Sequence, residues 1–185
     1  MKELSRCEWV GKDPLMIKYH DEEWGVPVHD DRKLFEFMVL DAFQAGLSWS
    51  CVLGKRENFR VAMDNFEAGQ IALYNEEKIA ELLENAGIIR NKSKIRATIV
   101  NARLFLQIQR EFGSFDRYIW QFTKGKTIQN RRKLESEIPS RSVESDAMSE
   151  DLRKRGFKFV GSTICYAFMQ AAGMVNDHLT SCFRY

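Results

Sequence analysis

The sequence is short of the residues that break or staple chains. Only 3 of its 185 residues are proline and 11 are glycine, too few for a linker, a collagen-like repeat or a low-complexity segment. Its 4 cysteines, Cys7, Cys51, Cys165 and Cys182, stand far apart. That set is too thin for a disulfide scaffold at this length and favours a reducing, cytoplasmic setting. No apolar run approaches the roughly 18 residues a membrane span needs, so no membrane partner is expected. Residues 1–10 carry Lys2, Glu3, Arg6 and Glu8 and lack the apolar stretch of a secretion signal. An excess of one charge is missing too. The 28 basic and 26 acidic residues leave +2, which argues against a polybasic tail but allows a local basic face.

What is present reads as a helical globule. Hydrophobic residues make up 44% and charged residues 29%, an ordinary globular balance. The length suits one domain, residues 1–185, with a sizeable core. Asp13-Pro14 is a helix start, a capping acid followed by a first-turn proline. Asp30 or Asp31 opens a second helix, apolar on several faces from Leu34 to Phe43, which reads as the buried centre and ends at Gly46. Ser48 caps a third that reaches about Met63. Asn75 opens a fourth and Gly87 stops it. A long helix follows from about Ser93 to Phe112, with Gly113 after it. A shorter aromatic helix covers 115–122, and 124–141 reads as a polar loop. Ser145 opens a helix ended by Gly156, and 162–172 is the last. No segment alternates over six residues, so no strand is expected. The expectation is a single all-α domain.

Three constellations could carry chemistry. Cys7 and His20 lie near one end, His178 and Cys182 near the other, and the last two share a face if helical. Four such ligands make a closed, structural zinc site. The Cys7–His20 spacing is not that of a zinc finger, and a buried free cysteine pair beside two unrelated histidines remains the plainer reading. The second constellation is the helical corner Ala86-Gly87-Ile88-Ile89-Arg90-Asn91-Lys92-Ser93-Lys94. Its second helix would begin with outward N–H groups, flanked by Arg90, Lys92, Lys94 and Arg96. This looks like a helix-hairpin-helix over about 76–112, which grips DNA backbone without reading sequence. An ordinary corner with a solvated charged face is the alternative. A further basic cluster, Lys124, Lys126, Arg131, Arg132 and Lys133, reads as a solvated loop. The third constellation gathers Trp9, Tyr19, Trp24 and Trp49 with Asp41, an acid inside the apolar second helix. Aromatic faces can sandwich a planar base and a carboxylate can accept from its N–H groups. Aromatics usually build cores, but a buried acid needs a partner or a function.

Together these residues resemble the DNA-3-methyladenine glycosylase I family, bacterial alkylation-repair enzymes of the helix-hairpin-helix superfamily. The resemblance runs from about Arg6 to Cys182. It is carried by Arg6-Cys7-Glu8-Trp9-Val10, by Tyr19-His20-Asp21-Glu22-Glu23-Trp24-Gly25-Val26-Pro27, and by Gln44-Ala45-Gly46-Leu47-Ser48-Trp49. Further on come Ala86-Gly87-Ile88-Ile89-Arg90, Lys154-Arg155-Gly156-Phe157-Lys158-Phe159-Val160-Gly161 and Val175-Asn176-Asp177-His178.

The resemblance implies one structural zinc on Cys7, His20, His178 and Cys182, clamping the N- and C-terminal segments together. It implies a base pocket of Trp9, Trp24 and Trp49, with Asp41 and Tyr19 hydrogen-bonding to the base. Gln44 and Leu47 match residues that probe the gap left by the flipped nucleotide. Gly87, Ile89, Arg90, Lys92, Ser93 and Lys94 match the DNA-backbone contacts. The implied activity is monofunctional hydrolysis of the N-glycosidic bond of 3-methyladenine in alkylated duplex DNA, releasing the free base. A monomer is expected. Two positions depart from the pattern: Asp41 stands where better-known members have Glu, and Met16 where an aromatic is expected. A zinc-stabilised module that binds lesions without cleaving them is the alternative.

Overall fold

The computed structural model describes residues 4–185, and its fold is all-α. Ten helices follow in chain order: α1 (Pro14–Glu22), α2 (Asp31–Gln44), α3 (Trp49–Leu53), α4 (Arg56–Ala62), α5 (Ala68–Ile71), α6 (Glu76–Glu84), α7 (Lys92–Phe112), α8 (Phe115–Trp120), α9 (Val143–Lys154) and α10 (Ser162–Ala171). Local chemistry sets most of the starts. The side chains of Asp13, Asp30, Ser48, Asn75, Asn91, Ser114 and Ser142 each accept from a backbone N–H in the first turn of the helix they precede.

Helix α2 is the axis of the molecule. All ten residues from Leu34 to Phe43 are buried, including Glu36 and Asp41. It packs against α10, α7, α3 and α8. The Phe105 ring packs tilted against Phe35 and stacked on Phe115, with ring centroids 4.9 and 4.3 Å apart. The segment leaving α1 is strapped to the end of α10, where Gly25 N–H donates to the Gln170 carbonyl and Val28 N–H to that of Ala172. Gly173 makes this approach possible. Its φ is +67°, and a Cβ there would lie 2.3 Å from the Val26 carbonyl carbon.

The structure departs from the sequence reading in four places. The helix expected from Ser48 to Met63 is two helices, broken at Gly54-Lys55. Gly54 N–H tightens the last turn of α3 onto Ser50 and Val52, while the Lys55 ammonium reaches the Ala86 and Gly87 carbonyls. Helix α9 begins one turn earlier than expected, because Ser142 and Ser145 cap each other reciprocally. Gly87 does not stop α6, which ends at Glu84. It is needed for room, since a Cβ would sit 2.9 Å from Asn85 Oδ1 and 3.2 Å from Asn58 Cγ. The 124–141 loop also contains structure: β1 (Ile128–Gln129) pairs in parallel with β2 (Val175–Asn176).

Candidate active site

A cavity of about 360 Å³ opens beside the C-terminal half of α2. Asp41 and Gln44 come from α2, Tyr19 from α1, Trp49 from the first turn of α3, and Trp9 from a short helical turn before α1. Trp24, Glu135, Ile138, Ala167 and Gln170 complete the lining. The aromatic walls brace one another. Tyr19 and Trp49 have centroids 5.1 Å apart, and Trp9 meets Trp24 edge to face at 5.0 Å. Aromatic walls of this kind offer apolar faces on which a flat, electron-poor ring gains by stacking.

Asp41 sits on the cavity lining with 3% of its surface exposed. Its Oδ2 is buried and has no hydrogen-bond partner among the described residues, and the same is true of Trp49 Nε1. Burial pushes the Asp41 carboxyl well above the usual carboxylate range, which favours its neutral form. The Tyr19 hydroxyl is pushed up as well, chiefly by burial. A polar atom buried without a partner costs stability, so this cavity holds interaction potential that the protein itself leaves unused. Leu47, 43% exposed, lies outside the lining, in the turn between Gln44 and Trp49.

Behind the aromatic wall the two ends of the chain meet. Cys7, His20 and Cys182 are buried, and their ligand atoms lie within 4.8 Å of one another, a group that could hold a metal ion. His178 does not join the group at that spacing, but its ring lies 4.9 Å from that of His20 and 4.6 Å from Trp24. Both imidazoles are oriented through Nδ1, His20 by Asp21 Oδ1 at 2.8 Å and His178 by Asn176 Oδ1 at 2.8 Å. Asn176 is turned by donating to Gln129, so the two-residue strand pair aims His178. Both Nε2 atoms are thereby left as lone pairs, and that of His178 is buried without a partner among the described residues. Burial lowers His20 and brings His178 down to about 4, which favours the neutral imidazole in both. Burial also pushes the Cys7 thiol up to about 12, a cost that a bound cation would offset.

The helical corner between α6 and α7 leaves Arg90, Lys92 and Ser93 exposed and Ile89 half-buried. The Gly87 carbonyl accepts from Lys55 and Asn58, which fixes the turn. Lys94 corrects the sequence reading. It is buried, and its ammonium donates to the carbonyls of Phe43 at 2.9 Å and Ala45 at 2.6 Å. It therefore caps the C-terminus of α2, where carbonyls lack partners and the helix dipole favours a cation.

Sequence reasoning missed Glu135, Ile138, Ala167 and Gln170 in the cavity wall. Glu135 meets Trp9 across 126 residues, its Oε1 accepting from Trp9 N–H at 2.7 Å. Gln170 is held by Asp177, a buried carboxylate that also accepts from Tyr166 and Asn130. One lone signal existed, an apolar Ile138-Pro139 inside a polar stretch.

The raised pKa of Asp41 has a measurable consequence. Between about pH 4 and the raised value, the folded chain keeps a proton that the unfolded chain has released. Folding stability therefore falls as pH rises through that window, by up to about 1.4 kcal/mol per pH unit. Asp41→Asn removes this slope. Urea unfolding at about pH 5 and about pH 7 should show the variant gaining on the parent at the higher pH. A constant difference would mean that Asp41 ionises freely.

Comparison with known proteins places this geometry. A model of the family described as methyladenine glycosylase matches residues 9–185. DNA-3-methyladenine glycosylase 1 of Escherichia coli (strain K12) is 49% identical over 182 residues, covering 98% of this chain and 97% of that protein. DNA-3-methyladenine glycosylase of Haemophilus influenzae is 43% identical, over 96% of both chains. A crystal structure of 3-methyladenine DNA glycosylase I superposes with a TM-score of 0.95 at 51% identity, covering 97% of this chain and 98% of that one. The enzyme from Staphylococcus aureus, solved for 3-methyladenine recognition, gives 0.94 at 31% identity, over 97% and 96% of the two chains. Since the match runs from Trp9 in the cavity wall through the whole helical frame, the chain belongs to the methyladenine glycosylase family.

Proposed function

We propose that this protein is a monofunctional DNA glycosylase that flips 3-methyladenine out of alkylated duplex DNA and hydrolyses its N-glycosidic bond. The observation that carries the reading is the unpartnered Asp41 carboxyl inside an aromatic cavity of about 360 Å³. Methylation at N3 makes the base cationic and weakens its bond to the sugar, and the base departs neutral. The enzyme then needs to flip, hold and orient it more than to protonate it. Trp49 would stack on the flipped base while Trp9 and Trp24 hold the walls. Asp41 and Tyr19 would hydrogen-bond to its edge. A cation beside Asp41 gives that carboxyl the charge partner it lacks, which a neutral base cannot do. Water then adds to the oxocarbenium-like sugar.

Outside the cavity, Gln44 and Leu47 would enter the gap in the duplex. Gly87, Ile89, Arg90, Lys92 and Ser93 would seat the backbone at the start of α7. Lys94 is not offered as an amine nucleophile, because two carbonyls hold its ammonium, and this supports hydrolysis without a lyase step. We read the protein as a monomer acting on DNA in the bacterial cytoplasm, and residues 1–185 as one domain. Among the described residues no helix is long and apolar enough to cross a membrane.

We also read Cys7, His20, His178 and Cys182 as the ligands of one structural zinc. Two thiols and two neutral imidazoles, both aimed by Nδ1 hydrogen bonds, suit tetrahedral zinc. The ion would supply no chemistry at the base. It would hold Trp9 and Trp24 against the cavity from behind.

Three measurements test these readings. Chromatography of bases released from methylated duplex DNA should show 3-methyladenine with little 7-methylguanine, and Asp41→Asn should abolish most of that release while non-specific DNA binding persists. No release by the folded parent would favour a lesion-binding module. Metal analysis should find one zinc per chain, and a chelator should lower the Tm before it alters release by chains that remain folded. Lys94→Met should cost about 1–3 kcal/mol of stability and leave the salt slope of DNA binding unchanged. Lys92→Ala should instead spare stability and reduce that slope by about one. A reduced slope for Lys94→Met would put its ammonium on the phosphates.

A further inference from the structure

The cavity has a second carboxylate that the reading above does not use. Glu135 lines it from outside α2, on a short helical turn, Glu135–Glu137, of the loop before α9. Its Oε1 is fixed by Trp9 N–H at 2.7 Å. Its Oε2 takes no hydrogen bond from any described residue, and no basic nitrogen of the described residues comes within ion-pair distance of either oxygen. This is so although Arg131, Arg132 and Lys133 directly precede it in the loop. The turn that carries it is itself rigid. Glu137 Oε2 accepts from the Lys133 and Leu134 N–H groups, and Ile138 N–H donates to the Glu135 carbonyl. The loop start is tied down by Thr180 N–H on the Arg132 carbonyl. A negative group is thus held in place at the cavity with half of its acceptor capacity unspent.

We propose that Glu135 is a specificity-determining carboxylate for a cationic base, anchored by one oxygen to the Trp9 wall and presenting the other to the cavity. This rests on the reading of the cavity as a base pocket. The substrate base is positive while attached to the sugar and neutral once released. A fixed negative charge near it therefore favours the bound lesion and the charged sugar that follows, and does little for the free product. Asp41 on α2 and Glu135 on the loop then both face the cavity that would hold the cation. The arrangement discriminates against undamaged adenine, which carries no charge for either group to meet.

The test separates charge from positioning. Glu135→Gln keeps an oxygen to accept from Trp9 N–H and removes only the charge, whereas Glu135→Leu removes both. For Glu135→Gln, kcat/KM for release of 3-methyladenine from methylated duplex DNA should fall at least about tenfold, since charges within several Å interact strongly at partly buried sites. Its affinity for free, neutral 3-methyladenine, read by tryptophan quenching, should stay within about twofold of the parent. Glu135→Leu should lose both, and Glu135→Asp should recover part of the excision rate. Parent-like kcat/KM in Glu135→Gln overturns the proposal. So does an equal fall in excision and free-base affinity, which would make Glu135 a strut for Trp9. Failure of the parent itself to release 3-methyladenine would instead overturn the base-pocket reading, and this proposal with it.

Discussion

A single ammonium joins the two working parts of this molecule. Lys94 lies in the first turn of α7, beside the exposed residues of the helical corner, yet its Nζ donates to carbonyls on either side of Gln44. Hydrogen bonds from a charged donor contribute about 1.5–3 kcal/mol each, and the C-terminus of α2 supplies acceptors that would otherwise be unsatisfied. The consequence is geometric as much as energetic. The surface proposed to seat a DNA backbone and the helix that floors the cavity cannot shift independently. An enzyme that must place a swung-out nucleotide to within a fraction of an ångström benefits from such a rigid frame.

Helix α2 carries the opposite kind of feature. It is buried along ten consecutive residues, and two of those are acids. Glu36 is satisfied by the guanidinium groups of Arg56 and Arg60, and Arg56 also holds Glu23 with two bonds of 2.9 Å. Asp41, five residues on, is satisfied by nothing described. The same helix thus contains one carboxylate locked into structure and one left open to the cavity. Keeping the second in place costs stability, which is the usual signature of a residue kept for binding.

The sequence made local structure legible and long-range structure illegible. Capping residues such as Asp13, Asp30, Asn75 and Asn91 act within three or four positions, so the helix starts could be read directly. The aromatic and acidic cluster of Trp9, Tyr19, Trp24, Asp41 and Trp49 was visible as composition, and the structure brings all five to one cavity. Lys94 was misread because a sequence shows a charge and not its burial. Glu135 and Ile138 were passed over because a polar loop shows no period, and the Trp9 N–H that Glu135 accepts from lies 126 residues away. His178 needed the β1–β2 pairing to be aimed, and two residues of strand are too few for any alternation to register.

That distant pairing also bears on how the molecule is put together. Phe183 N–H donates to the Ser5 carbonyl, and Cys182 Sγ lies 3.5 Å from His20 Nε2. Contacts of such separation close late, because the chain must surrender loop entropy before they return any stabilisation. The α2 core can collapse around its own neighbours first. The Trp9 wall, whose backbone N–H is held by Glu135 across 126 residues, must then be among the last surfaces of the cavity to form. Assembly would proceed from floor to wall, so a chain arrested before its ends meet would have a hydrophobic core but an unfinished recess.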